Sequence, residues 1–249
     1  MQKPSYGNWV SKKFFLAPGA IGLVILGLSI VIPCLVLIAI PFLLVAAYFL
    51  YAWYRFSPGG GNIQDQILEL LFQRLDWDGQ GQALDIGCGN GPLTIKLAQA
   101  FPAAQVTGID YWGKNWDYAK AACERNAQIE GVAERVTFQK ASASALPFEA
   151  EHFDLAVSNL TFHEVSDTKD KREVVREALR VVKKGGRFAF QDLFLEKRLY
   201  GEPEELVAAL KSWGMERVEF VRTCDEPFIP RLLKLPFMVG TIGILYGEK

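Results

Sequence analysis

The chain is short of acid at its start and of charge just after it. No Asp or Glu occurs before Asp65, and from Phe14 to Tyr54 there is no charged side chain of either sign. Cysteine is sparse: Cys34, Cys88, Cys123 and Cys224 are widely spaced, with no CxxC pair. That argues against a disulfide framework or a zinc site and for reduced thiols in a cytosol-facing protein. Cys88 as a nucleophile is a weak alternative, because a tight turn simply takes small residues. Only two histidines occur, neither at metal-ligand spacing from a cysteine. A basic excess is missing too. Lys3, Lys12, Lys13 and Arg55 precede the first acid; removing these four from the 27 bases leaves 23 against 28 acids, about −5 for the remainder. No electrostatic footprint for nucleic acid is present.

The uncharged run is about twice the roughly 20 residues that one membrane span needs. As one helix it would be about 60 Å long, too long for a single crossing. Two spans, near residues 14–31 and 33–54, fit better. Ser29 and Pro33 mark the break, since Ser29 is the one strongly polar residue in the run and Pro33 lacks a backbone donor. Bases before the first span and after the second place both ends on the cytoplasmic side, with Tyr48, Tyr51, Trp53 and Tyr54 at the interface. The expectation is an integral two-pass hairpin with both termini and the soluble part cytoplasmic. The run is too long for a cleaved signal peptide. A re-entrant hairpin and a buried soluble hairpin are the other readings.

Ser57-Pro58-Gly59-Gly60-Gly61-Asn62 reads as a linker, giving a hairpin domain over residues 1–56 and a soluble domain over 57–249. Apolar spacing predicts a helix through Ile63, Ile67, Leu70, Leu71 and Leu75. Strands are predicted at 82–86, 106–110, 136–139, 153–159, 187–192, 217–222 and 241–246. Helices are predicted at 92–101, 116–129, 168–182 and 202–213. Such alternation predicts an α/β fold, a doubly wound and mainly parallel seven-stranded sheet.

Chemistry concentrates where the first strand ends. Asp85-Ile86-Gly87-Cys88-Gly89-Asn90-Gly91 is a strand running into a glycine turn and then a helix, with Asp110 at the tip of the next strand. Glycines permit a tight turn and close backbone approach to a ligand, and an acid about 20 residues on holds ribose hydroxyls. A nicotinamide site carries G-x-G-x-x-G instead.

Asp85-x-Gly87-x-Gly89-x-Gly91 resembles the first motif of the class I S-adenosylmethionine-dependent methyltransferases, small-molecule branch, which includes quinone C-methyltransferases. The resemblance extends over residues 63–246. Phe153–Asn159 looks like the family's fourth strand, and Leu179–Gly186 like its turn before the fifth. It implies a Rossmann-like methyltransferase fold, S-adenosylmethionine as cofactor and an antiparallel last strand. It further implies Asp85, Gly87, Gly89 and Gly91 at the methionine end, Asp110 on the ribose, and Tyr111 or Trp112 beside the adenine. Ser142 stands where many members carry an Asp for the adenine amino group. Asn159 is expected to face cofactor and substrate. His163, on the loop after the fourth strand, is either a base or a structural histidine; Glu164 is a weaker base candidate, and His152 lies at the opposite edge. The implied partners are a membrane and a small-molecule or lipid-soluble methyl acceptor. A non-catalytic cofactor-binding sensor or recruitment module is the alternative. The segment Phe228–Phe237 mixes apolar residues with Arg231 and Lys234, and reads either as a membrane-surface element or as a loop packed on the sheet.

Overall fold

The computed structural model describes residues 3–112 and 120–249. The chain divides into two compact units. One is Gly7–Ile67; the other takes the remainder, Leu68–Lys249, together with the first six residues. The division falls five residues beyond the linker read from sequence.

In the first unit, α1 (Lys13–Leu28) and α2 (Val36–Phe56) form an antiparallel helical hairpin, joined through a 3-10 turn at Pro33–Leu35. Phe14 stacks on Phe49 at 5.3 Å, and a Cβ at Gly22 would press on Leu43, so glycine sets how closely the helices approach. The break sits where Ser29 and Pro33 place it: the Ser29 hydroxyl donates to the Leu26 carbonyl at 2.6 Å as α1 ends. The stretch Pro33–Phe56 is long and apolar enough to cross a membrane; α1 has 16 residues, about 24 Å. Of the 22 exposed large apolar side chains among the described residues, 18 lie between Phe14 and Tyr54.

The second unit is a seven-stranded sheet. Its strands are β1 (Gly81–Ile86), β2 (Ala104–Asp110), β3 (Val136–Lys140), β4 (Phe153–Asn159), β5 (Val182–Asp192), β6 (Arg217–Arg222) and β7 (Gly243–Glu248). They run in the order β3-β2-β1-β4-β5-β7-β6. Neighbours from β3 to β5 are parallel; β7 is antiparallel to both β5 and β6. The helices are α3 (Ile63–Phe72), which crosses the boundary between units, α4 (Pro92–Ala100), α5 (Lys120–Ile129), α6 (Lys171–Arg180), α7 (Lys197–Tyr200) and α8 (Pro203–Ser212). Residues 116–119 of the expected helix before Ile129 lie outside the described residues.

Alternate strand positions feed two apolar clusters. Leu84, Ile86, Ala156, Phe188 and Phe190 pack with α6 and α8 in one; Ala83, Val106, Leu155, Val157 and Ala189 pack with α4 and α5 in the other. A central strand buried on both faces reads as a continuous apolar run, as β1 and β4 do. The order of strands reverses between β1 and β4, so a crevice opens beyond their carboxyl ends.

Several boundaries differ from the sequence reading: α3 ends at Phe72, short of Leu75, and β2 starts at Ala104, two residues early. The helix expected at 168–182 covers only Lys171–Arg180, because Asp170 caps it by accepting from the Arg172 N–H at 3.0 Å. The next strand starts at Val182, five residues early, with an irregularity in its pairing to β4. The last strand is displaced by two residues. Thr241 and Ile242 give their carbonyls to Leu195 and Thr223 instead.

Candidate active site

Gly87, Gly89 and Gly91 all have left-handed backbone, with φ of 78°, 57° and 83°. Side chains with a Cβ are strained there, and at Gly87 a Cβ would also run into the Thr161 side chain. The turn is fastened to the tip of β2: the N–H groups of Gly87 and Cys88 both donate to the Ile109 carbonyl, at 2.7 and 2.9 Å. Gly91 then precedes Pro92 at the first position of α4, where a missing N–H costs nothing.

Asp110 and Trp112 complete a clasp around Gly89. One Asp110 oxygen accepts the Gly89 N–H at 2.9 Å, the other the Trp112 N–H at 2.7 Å. The Trp112 indole donates to the Gly89 carbonyl at 2.9 Å, and the Cys123 thiol to the same carbonyl at 3.0 Å. Trp112 has φ of 42°, a conformation uncommon for a bulky side chain and one that clusters at functional sites. Burial raises the pKa of Asp110, against the opposing pull of these backbone donors.

Asp85 lies deeper, 1% exposed, and accepts the Thr94 hydroxyl at 2.6 Å. Burial pushes its pKa up to about 7; the Thr94 bonds oppose this and the Asp110 charge adds to it. It ties the first turn of α4 to the sheet beneath the glycines. Tyr111 is exposed, with the Lys140 ammonium 5.1 Å from its ring centre. Ser142 hydrogen-bonds Ser144 at 2.8 Å and donates to Asp167 at 3.1 Å, and Ser144 donates to Asp167 at 2.7 Å. The charge that Ser142 lacks is therefore supplied beside it by Asp167, a residue with no signal in the sequence.

At the end of β4, the Asn159 Oδ1 is buried and has no hydrogen-bond partner among the described residues. Its register partner on β5, Gln191, has an unpartnered Oε1, while its Nε2 donates to Thr223 at 2.9 Å. A buried acceptor without a protein partner costs free energy that water or a bound ligand recovers.

His163 follows on the same edge, its side chain 19% exposed. Its Nδ1 lies 2.8 Å from Asp192, a wholly buried carboxylate at the end of β5, and its Nε2 lies 3.4 Å from Glu164. Asp192 also accepts the N–H groups of Phe162 and Leu193. Tyr200 is buried near enough to feel the Asp192 charge. Desolvation works against charge on the His163 ring, but its bonds to Asp192 and Glu164 and their charges outweigh this and raise its pKa to about 9. In return, the hydrogen bond from His163 lowers the pKa of Glu164. Asp192 was the decisive residue missed in the sequence. Its one signal was position, an acid closing the strand beside β4.

The structure thus gathers Asp85, the three glycines, Asp110, Trp112 and Asn159 around one turn, with His163 on the neighbouring loop. S-adenosylmethionine fits these residues. Glycine backbone admits close approach, Asp110 retains lone pairs for ribose hydroxyls, and the empty Asn159 oxygen suits an amino group.

Residues 84–190 match a family model described as a methyltransferase domain. The chain is 37% identical over 112 residues to the 27-O-demethylrifamycin SV methyltransferase of Amycolatopsis mediterranei, covering 45% of this chain and 38% of that one. It is 32% identical over 109 residues to the ubiquinone/menaquinone biosynthesis C-methyltransferase of Syntrophotalea carbinolica, covering 44% and 42%. The aligned part therefore spans less than half the length of either relative. Among solved structures, the [4+2]-cyclase SpnF shares the fold, with a TM-score of 0.55 and 23% identity over 74% of this chain and 80% of that one. Residues 84–190 are thus a methyltransferase domain of the S-adenosylmethionine-dependent class.

Proposed function

We propose that the whole chain is a membrane-anchored methyltransferase that moves a methyl group from S-adenosylmethionine to a small, lipid-soluble acceptor. The observation that carries this is the adjacency of the Gly89–Asp110–Trp112 clasp, the empty Asn159 oxygen and the His163–Asp192 pair along one sheet edge. The cofactor supplies a methyl group already activated by its sulfonium. The chain's contribution is alignment at near-attack distance, worth up to about 7–11 kcal/mol.

In this reading Asp110 holds the ribose, Trp112 flanks the adenine, and Ser142 with Asp167 faces its amino group. The glycine turn and Asn159 take the methionine end, with Asp85 bracing the turn from below. With its pKa near 9, His163 carries a proton at neutral pH. It therefore acts on the acceptor as a positive charge held in place by Asp192, stabilising an acceptor oxygen as an anion, and not as a resting base.

The hairpin supports anchoring through its length, its lack of charge and the exposure of its apolar side chains. Both ends then lie in the cytoplasm, as the flanking bases favour. The test is incubation of the membrane fraction with methyl-labelled cofactor, followed by identification of the labelled product. Label in a lipid extract supports the proposal. Label confined to water-soluble products refutes the lipid acceptor, and tight cofactor binding with no transfer identifies a binding module.

A further inference from the structure

Four large apolar side chains in the second unit are exposed among the described residues: Tyr111, Leu232, Leu235 and Phe237. All four sit at the carboxyl edge of the parallel strands. Tyr111 follows the end of β2. The other three lie between β6 and β7, which meet that edge where Arg222 and Gly243 register with Asp192. β2 and β6 are five strand spacings apart, about 24 Å.

The segment between β6 and β7 is built to face two ways. Ile229, Leu233 and Val239 are buried and fix it to the unit. Backbone bonds from Val239 to Leu233 and from Gly240 to Leu235 hold its shape. Leu232, Leu235 and Phe237 point outward, with Arg231 and Lys234 interleaved, and neither base forms an ion pair among the described residues. The far end of the edge repeats the combination, an exposed Tyr111 beside Lys140. Apolar and basic groups at both ends of one edge suit a flat, apolar partner with a negatively charged surface.

We infer that this sheet edge lies against an anionic phospholipid bilayer, with Leu232, Leu235, Phe237 and Tyr111 in the interface and Arg231, Lys234 and Lys140 on lipid phosphates. The mouth of the candidate active site then opens onto the membrane surface, from which a lipid-soluble acceptor enters without crossing water. This inference deepens the anchoring reading and rests on it.

The test uses the full chain with Cys34→Ser, since the other three cysteines are buried. An environment-sensitive fluorophore is placed through Phe237→Cys, Tyr111→Cys or Glu134→Cys, the last at the opposite sheet edge before β3. Each variant is reconstituted in nanodiscs of neutral or anionic phospholipid carrying doxyl-labelled chains. Doxyl quenching is expected at 237 and 111 and not at 134, and it should be stronger on anionic discs. Arg231→Gln or Lys234→Gln should reduce the inserted-to-withdrawn ratio about fivefold each.

Absence of quenching at 237, or equal quenching at 134, overturns the inference, and quenching at 237 alone overturns the flat contact. Carbonate extraction of the same membranes reports separately on the hairpin. A carbonate-resistant chain with a dry loop refutes this inference and leaves anchoring intact.

Discussion

The resting charge of His163 decides what the site can do, and it can be measured directly because the chain has only two histidines. Its pKa of about 9 stands above the ordinary 6.5, despite a burial that alone would lower it. The cause is the Asp192 contact at 2.8 Å, reinforced by Glu164 at 3.4 Å. Histidine labelled with carbon-13 at Cε1 should show one midpoint near 9, assigned by its loss in His163→Gln. Asp192→Asn keeps the shape and removes the charge, so the midpoint should fall by about 1–2 units. Stability follows the same sign. A pKa raised in the folded state stabilises fully below about 6.5, and that contribution is gone once the pH passes about 9. The shift corresponds to about 3 kcal/mol as an upper figure. Wild type should therefore lose stability relative to His163→Gln between pH 6.5 and 9.5. A midpoint at or below 6.5, or a difference between the two proteins that does not change with pH, would refute the charged-histidine reading and restore His163 as a base.

Asp110→Asn leaves one acceptor where the carboxylate satisfies two backbone donors, so cofactor affinity measured by calorimetry should drop about 10–100-fold; a change under threefold contradicts the clasp. Gly87→Ala meets both a left-handed backbone and the Thr161 side chain, and should lower the melting temperature and abolish the melting shift on adding cofactor. Cys34 is the exposed cysteine, within the hairpin turn. A membrane-impermeant maleimide should label it in intact cells if both helices cross, and fail to do so if the 16-residue α1 stops short.

The core of the fold was legible because its strands bury both faces, and a run such as Ala83–Ile86 or Leu155–Ser158 has few other uses. The failures share a cause. Lys183-Lys184-Gly185-Gly186 has the form of a helix end, cations followed by glycine. In the structure it is the start of β5, where Lys183 pairs with Asp154 at 2.8 Å. Local pattern cannot distinguish a helix terminus from an irregular strand start whose charge is held by a residue 29 positions away. The true start of α6 was readable, since Asp170 with Glu173 three residues on forms a cap signature that outranks the apolar period. At four residues, α7 is too short to show any period.

The same distinction separates the site residues. The glycines and Asp110 are one motif whose spacing is dictated by a single turn and the next strand tip, so sequence suffices to find them. Asp192, Asp167 and Asn126 act across the fold. Asn126 is wholly buried: its amide donates to the Asn90 carbonyl in the glycine turn and pairs with both the N–H and the carbonyl of Ser5, each at 3.0 Å. Nothing in the sequence marks it, because its meaning depends on a chain segment 121 residues away. Yet it joins the glycine turn to residues that immediately precede the apolar hairpin. Position in the chain and position in the site are independent here. The residues that set the properties of the turn are drawn from wherever the sheet brings the backbone close.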